Sequence, residues 1–298
     1  MIKKYKRVLI IFSILLLLII SIINSNYLIY QVLDYTKLFI TKLFPAAFFF
    51  FMLSSLLIDY GFVEFISKLL HINGAIFYVV LMSMISGFPS GSKYIRELFD
   101  KKIISLDVAN YLIFFTHFPN PLFVLGTVNL IVRDSKLSLF ILISLIVSNL
   151  IIGLILHPRK KNSMIFNEPS TFYHFSYYLT NAIFSSLKTI LLIYGTSLFF
   201  FLISSFIVKY FNFSLIGNIL VNGFFDLTKG VISTNVISNT IVKCLLIISF
   251  ISFGGISIHM QVKSIIENSN ISYKNFFMGR IFQMIISGSL FLLLFRFY

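Results

Sequence analysis

The stretch whose residue types say most about chemistry is Gly87-Phe88-Pro89-Ser90-Gly91-Ser92-Lys93, which follows an apolar run. Its proline lacks an N–H and its glycines tolerate conformations that end a helix, so main-chain groups are left unpaired here. Either serine is expected to cap the next helix, whose positive N-terminal end then faces a polar or anionic solute. The alternative is a simple loop at the water surface. A phosphate-binding P-loop is excluded, because Ser92 separates Gly91 from Lys93.

A second break lies in Ser252-Phe253-Gly254-Gly255-Ile256-Ser257-Ile258-His259-Met260-Gln261. The two glycines predict another opened helix, and Ser252 precedes it. Ser257, His259 and Gln261 alternate with apolar residues, which predicts a partly extended wall of a polar cavity. The alternative is that the small residues only allow a close crossing of two helices.

A third interruption, Thr116-His117-Phe118-Pro119-Asn120-Pro121, lies within the apolar segment 108–132. Its two prolines must interrupt a helix and free main-chain carbonyls. His117 and Asn120 are therefore candidates for completing a solute site inside the membrane. His117 is equally well explained by a hydrogen bond to a neighbouring helix.

The fourth candidate stretch, Gly223-Phe224-Phe225-Asp226-Leu227-Thr228-Lys229-Gly230, places a carboxylate and an ammonium among apolar residues. An acid at the centre of a membrane helix costs about 2.5 to 3.5 kcal/mol on insertion scales, so it is rarely without a role there. Asp226, with Thr228 nearby, is the candidate for binding a coupling cation or a solute hydroxyl. A solvated charge pair at the membrane interface is the alternative.

The elements that must position these residues are membrane helices. The 298-residue chain is 58% hydrophobic and only 11% charged, whereas soluble domains are near 25% charged. Apolar segments of the length that a helix needs to cross about 30 Å of hydrocarbon recur along the chain. An all-α polytopic membrane protein is predicted. The segments are 8–29, 38–58, 75–86, 108–132, 137–156, 182–208, 241–253 and 276–295.

The charged residues exclude several other classes of protein. The formal net charge is +14, but the Lys and Arg residues stand in short clusters between apolar runs, as topology signals and lipid contacts do, so no nucleic-acid partner is expected. Cys244 is the single cysteine, which excludes an internal disulfide and a cysteine-based metal cluster. No metal site, cofactor or catalytic constellation is indicated, and an enzyme is not expected. The basic residues before segment 8–29 resemble a signal peptide, but no small-residue cleavage site follows, so an uncleaved helix is preferred.

The positive-inside rule gives a topology. If segments 75–86 and 241–253 are re-entrant hairpins, the clusters Lys93/Arg96/Lys101/Lys102 and Arg159/Lys160/Lys161 both face the cytoplasm. This predicts about six spanning helices plus two hairpins, both termini cytoplasmic, and Lys263 outside.

The two halves then form an inverted repeat, and Gly87 and Gly254 are separated by the same 167 residues as Asp59 and Asp226. Inverted repeats with broken helices are typical of secondary transporters. Residues 212–239 are predicted as an interfacial or discontinuous helix.

The same motifs resemble those of the YlbJ-type sporulation integral membrane proteins. Gly87-Phe88-Pro89-Ser90-Gly91-Ser92-Lys93 is similar to the family's Ser-Gly-Tyr-Pro-x-Gly-Ala-Lys signature. The stretches 223–228 and 252–261 are similar to its Gly-Leu-x-Glu-Ile-Thr and Ser-Phe-Gly-Gly-Leu-Ser-x-x-x-Gln elements, in the same order. Together these matches extend over residues 43–280.

The resemblance implies a relationship to nucleoside-recognition Gate domain proteins and, at a distance, to concentrative nucleoside transporters with two opposed hairpins. It implies four regions: an anchor helix (1–30), a first Gate-like repeat (31–132), a linking helix with a basic cytoplasmic loop (133–181) and a second repeat (182–298). The chain departs from the family pattern in three places. Asp226 stands where Glu is general, Ser55 stands at a commonly acidic position, and residues 117–121 replace Asn-Thr-Ser-Gly-Pro.

These observations favour a transporter or permease-like protein of the cell membrane that recognises a small polar, nucleoside-like solute, with a role in sporulation. The runner-up is a non-transporting scaffold of a sporulation membrane complex. Lipid and a small polar solute are the expected partners, and a homo-oligomer is left open. Everything functional depends on the breaks facing a pocket, because interrupted backbone at bilayer depth cannot face lipid.

Overall fold

The computed structural model describes residues 2–157 and 174–298, and none of these residues is in a β-strand. The predicted basic cluster Arg159/Lys160/Lys161 lies outside the described residues. Four helices are long and apolar enough to cross a membrane, or up to six if each of two bent helix pairs is one span. The prediction of an all-α polytopic membrane protein is therefore confirmed.

The first part of the chain forms nine α-helices with two π-helical turns, Phe39–Leu43 and Phe123–Val128. Segment 8–29 is divided between two helices that meet at 97°. The predicted segments 38–58, 75–86 and 137–156 match observed helices closely, whereas 108–132 is divided between α7, a π-helical turn and α8. The helices are α1 (Ile2–Ile23), α2 (Ser25–Leu38), α3 (Phe44–Asp59), α4 (Phe62–Leu70), α5 (Gly74–Ser86), α6 (Ser90–Asp100), α7 (Leu106–Phe115), α8 (Asn129–Val132) and α9 (Ser135–Ile155).

The second part of the chain forms six α-helices and a 3₁₀ turn at Thr234–Val236. The stretch 212–239, predicted as interfacial or discontinuous, contains two short helices. The helices are α10 (Phe175–Tyr210), α11 (Leu215–Phe225), α12 (Leu227–Ser233), α13 (Thr240–Phe253), α14 (Gly255–Ile265) and α15 (Tyr273–Phe295).

Short polar side chains begin many of these helices. At an N-cap, a side-chain oxygen accepts a hydrogen bond from a main-chain N–H that has no partner within the helix. Such caps fix where the chain leaves a loop and enters the apolar bundle. Besides Asp226, discussed below, they are Asn73, Ser105, Asp134, Ser214, Asn239 and Ser272.

The bundle has two ends that its contacts identify. At the Lys101 end, Lys101 pairs with Asp59, and Arg96 Nη1 donates to the main-chain oxygen of Glu267 at 2.6 Å. At the Tyr298 end, the Tyr298 hydroxyl donates to Asp134 Oδ2 at 2.7 Å. α15 runs from the first end to the second, and its 23 residues suffice to cross a bilayer.

The first predicted hairpin is present as α5 and α6. The rings of Tyr78 and Tyr94 lie 5.8 Å apart, although 16 residues along one straight helix would separate them by about 24 Å. Ser86 Oγ and the Tyr94 hydroxyl are 2.9 Å apart, which brings α6 back against α5. The hairpin enters from the Lys101 end, and its tip at Gly87 and Pro89 is buried.

The second predicted hairpin differs from the structure, because α13 and α14 together form one candidate span, Thr240–Ile265. Both helices run antiparallel to α15. Ser252 Oγ lies 2.9 Å from Ser287 Oγ, and His259 Nδ1 lies 2.9 Å from the Tyr273 hydroxyl. The two glycines open this span without turning it back. It starts at the Tyr298 end and finishes at the Lys101 end.

A second hairpin is formed instead by α11 and α12. Asn222 Nδ2 donates to Ser233 Oγ at 2.9 Å, although these residues are 11 positions apart. A Cβ on Gly230 would lie 2.2 Å from Gly223 Cα, so the two backbones touch. Because α13 starts directly after this hairpin at the Tyr298 end, the hairpin enters from that end, with Asp226 at its tip.

The interruption predicted at residues 116–121 is present between α7 and the helical turns that follow it. Main chain that is not helical separates Phe115 from Phe123, and the span resumes at Phe123–Val128 and α8. In each half of the chain a hairpin is followed by two helical stretches with a break between them and then by one unbroken helix, and these elements run in opposite directions in the two halves. The inverted repeat of a transporter stays a prediction. The corresponding elements are not the pairs that the 167-residue offset predicts, since Gly87 is at a hairpin tip and Gly254 is within a broken span.

The structure differs from the predicted topology at two positions. Lys263 was predicted to lie across the membrane from Lys101, but α6 and α14 finish side by side at the Lys101 end. The sequence predicts the C-terminus on the same side as Lys101, whereas Tyr298 lies at the opposite end of the bundle, and the side of the membrane that each terminus faces stays a prediction. Both differences have one cause, which is that the chain reverses between α11 and α12 and not between α13 and α14.

We expect cysteines placed at Lys101 and Lys263 to react with a membrane-impermeant maleimide from the same side of the membrane, and a cysteine at Tyr298 from the other side. The measurement uses single-cysteine variants in which the buried Cys244 is replaced by serine, in sealed vesicles of both orientations. Labelling of Lys101→Cys and Lys263→Cys from opposite sides would contradict the fold described here.

Candidate functional site

A cavity of about 410 Å³ lies where the two hairpin tips and the two broken spans meet. We call it the central cavity. One wall comes from α2, α3 and α10, and the other comes from the segment that follows the break at residues 116–121. Its polar lining consists of Tyr35, Ser86, Asn120, Thr127, Ser197, Asp226, Thr228, Ser257 and Gln261.

Five of the predicted site residues line this cavity: Asn120, Asp226, Thr228, Ser257 and Gln261. They come from three stretches that are far apart in the sequence. The hairpin tip at Asp226, the break at Asn120 and the start of α14 are thus brought to one place. Ser86 and Phe88 beside the first break also line the cavity, so all three interruptions and the carboxylate share one polar space.

Asp226 is the tip of the second hairpin and the N-cap of α12. Its Oδ1 accepts from the Lys229 N–H at 3.0 Å, and its Oδ2 accepts from Ser257 Oγ at 3.2 Å. The side chain is only 3% exposed, so the alternative of a solvated charge pair at the interface does not hold. Lys229 turns away, and its ammonium donates to the Phe201 main-chain oxygen at 3.2 Å and to Ser205.

Glycine is required where α14 begins. Gly254 and Gly255 have φ of +89° and +66°, which residues with a side chain rarely adopt. A Cβ on Gly255 would lie 3.1 to 3.2 Å from three main-chain atoms at the tip of the second hairpin. The missing side chain therefore allows the hairpin tip to reach the start of α14 and places Ser257 beside Asp226.

Ser257 and Gln261 are one helical turn apart on α14 and both face the central cavity. Gln261 Nε2 donates to Ser197 Oγ of α10 at 2.8 Å. The partly extended wall predicted from their alternation with apolar residues is wrong, because α14 is helical. His259 lies away from the cavity, with its ring nitrogens 2.9 Å from the Tyr273 hydroxyl and 3.0 Å from the Phe253 main-chain oxygen.

The tip of the first hairpin packs directly against the break at Asn120. Gly87 has φ of +76°, and a Cβ there would lie 2.6 Å from the N and Cβ atoms of Asn120. Asn120 Nδ2 donates to the Ser86 main-chain oxygen at 3.3 Å, and its Oδ1 accepts from the Leu122 N–H at 2.8 Å. The side chain thus satisfies main-chain groups that both interruptions leave open.

His117 lies between the two breaks and does not line the cavity. Its ring stacks on Phe88 of the first hairpin at 4.7 Å between centroids. Its Nε2 has no hydrogen-bond partner among the described residues and lies 3.5 Å from where a Cβ of Gly254 would be. His117 thus packs between helices, and among the described residues neither predicted role is seen, since the ring does not line the cavity and its Nε2 makes no hydrogen bond to a neighbouring helix.

The other predicted residues of the first hairpin hold it together outside the cavity. Lys93 is 4% exposed and bonds Glu97 Oε1 at 2.6 Å and Ser55 Oγ at 3.0 Å. The N-cap of α6 is Pro89, so the prediction that Ser90 or Ser92 caps this helix is wrong. Instead, both serine hydroxyls donate back to main-chain oxygens, and Ser90 also accepts from Ser86.

Gly91 and Ser252 also act in packing. A Cβ on Gly91 would lie 2.1 Å from the Thr116 main-chain oxygen, so this glycine lets the first hairpin reach the break that follows α7. Ser252 bonds Ser287 of α15. The tip of the first hairpin is buried and is not a water-surface loop, which excludes that alternative.

Sequence reasoning missed Arg280, which is fully buried in α15. It pairs with no carboxylate among the described residues. Its guanidinium donates to the main-chain oxygens of Phe114 and His117, each at 3.3 Å, and to Gln283. These oxygens are left open by the end of α7, where a cation is electrostatically favoured. A lone arginine inside an apolar segment was the signal that could have identified it.

The chain is 28% identical, over an alignment 304 positions long, to a Bacillus subtilis (strain 168) protein described as sporulation integral membrane protein YlbJ. The alignment covers 85% of this chain and 74% of that relative. No family model matches the chain, and no solved structure matches it. The resemblance to YlbJ-type sporulation integral membrane proteins is thereby confirmed, and membrane localisation agrees with it. The Gate domain relationship stays a prediction.

Gly279→Ala is expected to destabilise the protein by about 1–3 kcal/mol, because the new Cβ would lie 1.8 Å from the Phe114 main-chain oxygen and push α15 away from α7. Gly288→Ala in the same helix is the matched control, since its Cβ would meet only Leu245 Cδ2 at 4.0 Å. The measurement is the midpoint of thermal unfolding in detergent. Equal midpoints for the two variants would show that this contact does not hold the break in place.

Proposed function

We propose that this YlbJ-type membrane protein binds a small polar solute in the central cavity and carries it across the bilayer by alternating access. The observation that carries the proposal is the convergence of Asn120, Asp226, Thr228, Ser257 and Gln261 on one cavity between two hairpins. Solute sites of secondary transporters lie at such positions, between broken helices near the membrane midplane.

The arrangement of the hairpins supports alternating access. The first hairpin enters from the Lys101 end and the second from the Tyr298 end, so each end has its own element between the cavity and water. Movement of one hairpin at a time would open the cavity to one side only. This is the requirement for transport without a continuous pore.

The relative is named for sporulation, and we propose that this chain acts in the same process. The Gate domain resemblance makes nucleosides the first solutes to test.

A second candidate function is a scaffold that keeps the fold without transport. It is favoured by α1, whose apolar residues are exposed along nearly its whole length and which bends away from α2 at 97°. Such a helix offers its surface to lipid or to the helices of a complex.

Transport is tested by uptake into proteoliposomes, with a panel of labelled nucleosides, amino acids and amines. We expect time-dependent uptake of at least one solute by the wild type, and a loss of about tenfold or more in Asp226→Asn, since a buried group that contacts the solute is changed. The matched control is Asp107→Asn, which removes an exposed carboxylate outside the cavity. If no solute enters faster than into empty liposomes, while the protein remains folded, the scaffold is favoured over the transporter.

A further inference from the structure

The central cavity has a one-sided charge. Among the described residues that line it, Asp226 has the only carboxyl group. No lysine, arginine or histidine is part of this lining. An anionic solute would therefore find a carboxylate and no cation to compensate its own charge.

The cations buried nearest to the cavity are already bonded to other groups. The Lys229 ammonium bonds Ser205 and the Phe201 main-chain oxygen, and it lies 4.3 Å from the centre of the Phe201 ring. Lys93 is paired with Glu97, and Arg280 is held by main-chain oxygens. None of them forms an ion pair with Asp226 among the described residues.

The bonds of Asp226 leave part of its carboxylate unused. Oδ1 caps α12 and Oδ2 accepts from Ser257, whereas an ionised carboxylate has about four acceptor positions. This carboxylate is only 3% exposed, and it accepts from two neutral donors without an ion-pair partner among the described residues, so a negative charge on it is poorly compensated. A cation in the cavity would compensate it.

The remaining lining suits the body of an organic molecule. Phe39, Phe51, Phe88 and Phe123 present aromatic surface to the same space, and aromatic rings attract ammonium groups as well as apolar groups. A volume of about 410 Å³ is far larger than a metal ion requires and falls in the range of small-molecule pockets.

We propose that the solute is an organic cation whose ammonium group binds Asp226 and whose aromatic or aliphatic body lies against these phenylalanines. The inference rests on the proposed function of the central cavity and narrows the class of solute. Nucleotides and other anions are excluded as substrates by the same charge. Neutral nucleosides bind more weakly than amines of similar size.

The test uses three matched probes on protein in nanodiscs, with empty nanodiscs to subtract partition into lipid. The probes are 2-phenylethylamine, 2-phenylethanol and phenylacetate, which differ mainly in charge at pH 7. We expect the amine to bind the wild type about tenfold more tightly than the alcohol, and phenylacetate more weakly still. This comparison needs no variant, so it stands even where a substitution disturbs folding.

Variants then locate the site. Asp226→Asn is expected to remove the advantage of the amine over the alcohol, whereas Asp226→Glu keeps the charge and retains it. Asp107→Asn, the exposed control, leaves the preference unchanged. An amine preference that survives Asp226→Asn, or equal binding of amine and alcohol by the wild type, overturns the inference.

The outcomes separate this inference from the proposed function. If the alcohol or a nucleoside binds as tightly as the amine and is taken up, the proposal of solute transport holds, and the inference that the solute is an organic cation is wrong. If sodium chloride at the same concentration displaces the amine fully, the site takes an inorganic cation, and the inference is also wrong. If no member of the uptake panel is transported but the amine binds through Asp226, the inference that the ligand is an organic cation holds, and the proposal of transport is wrong.

Discussion

Main-chain groups in the middle of this bundle are bonded by side chains from other helices, and the interruptions of the chain depend on those bonds. An unpaired N–H or carbonyl facing lipid costs several kcal/mol. Arg280 and Asn149 both donate to the main-chain oxygen of His117, and Asn120 donates to that of Ser86. The main-chain groups that the breaks leave open are therefore hydrogen-bonded by side chains from the other breaks and from the surrounding helices. Asn120 both bonds main chain at a break and lines the cavity, so the groups that satisfy the breaks also form part of the site.

Glycines make that arrangement possible because side chains would keep the broken segments apart. Gly87 and Gly91 bring the first hairpin onto the segment after α7, Gly255 brings the second hairpin onto α14, and Gly279 brings α15 onto the end of α7. In each case a Cβ would meet main-chain atoms, which cannot move aside as a flexible side chain can. The positions of the cavity residues follow from these contacts.

Much of the fold could be predicted from the sequence. Helix positions followed from runs of apolar residues, and the breaks followed from glycine and proline, which act locally. Asp226 was identified because a carboxylate in an apolar stretch is costly whatever its neighbours are. The assignment of the second hairpin could not be made this way. Two glycines at residues 254 and 255 are compatible with a reversal or with a straight opening, and packing against α15 decides between them. Arg280 could have been identified as a lone arginine in an apolar segment, but its partners could not, because they are main-chain oxygens and have no characteristic residue type.

The hydrogen bonds of Asp226 link the binding of a solute in the central cavity to the position of the second hairpin tip. One carboxylate oxygen bonds within the second hairpin, and the other bonds Ser257 on α14, so the carboxylate fastens the hairpin tip to a different element. A solute that binds Asp226 Oδ2 competes with Ser257 and weakens the contact between the tip of the second hairpin and α14. When the tip is displaced, the solute meets the carboxylate in a different position. Ligand affinity and tip position are then reciprocal, each changing the other by the same free energy. A substitution remote from the cavity that shifts the resting population of the tip would alter apparent affinity without contacting the ligand.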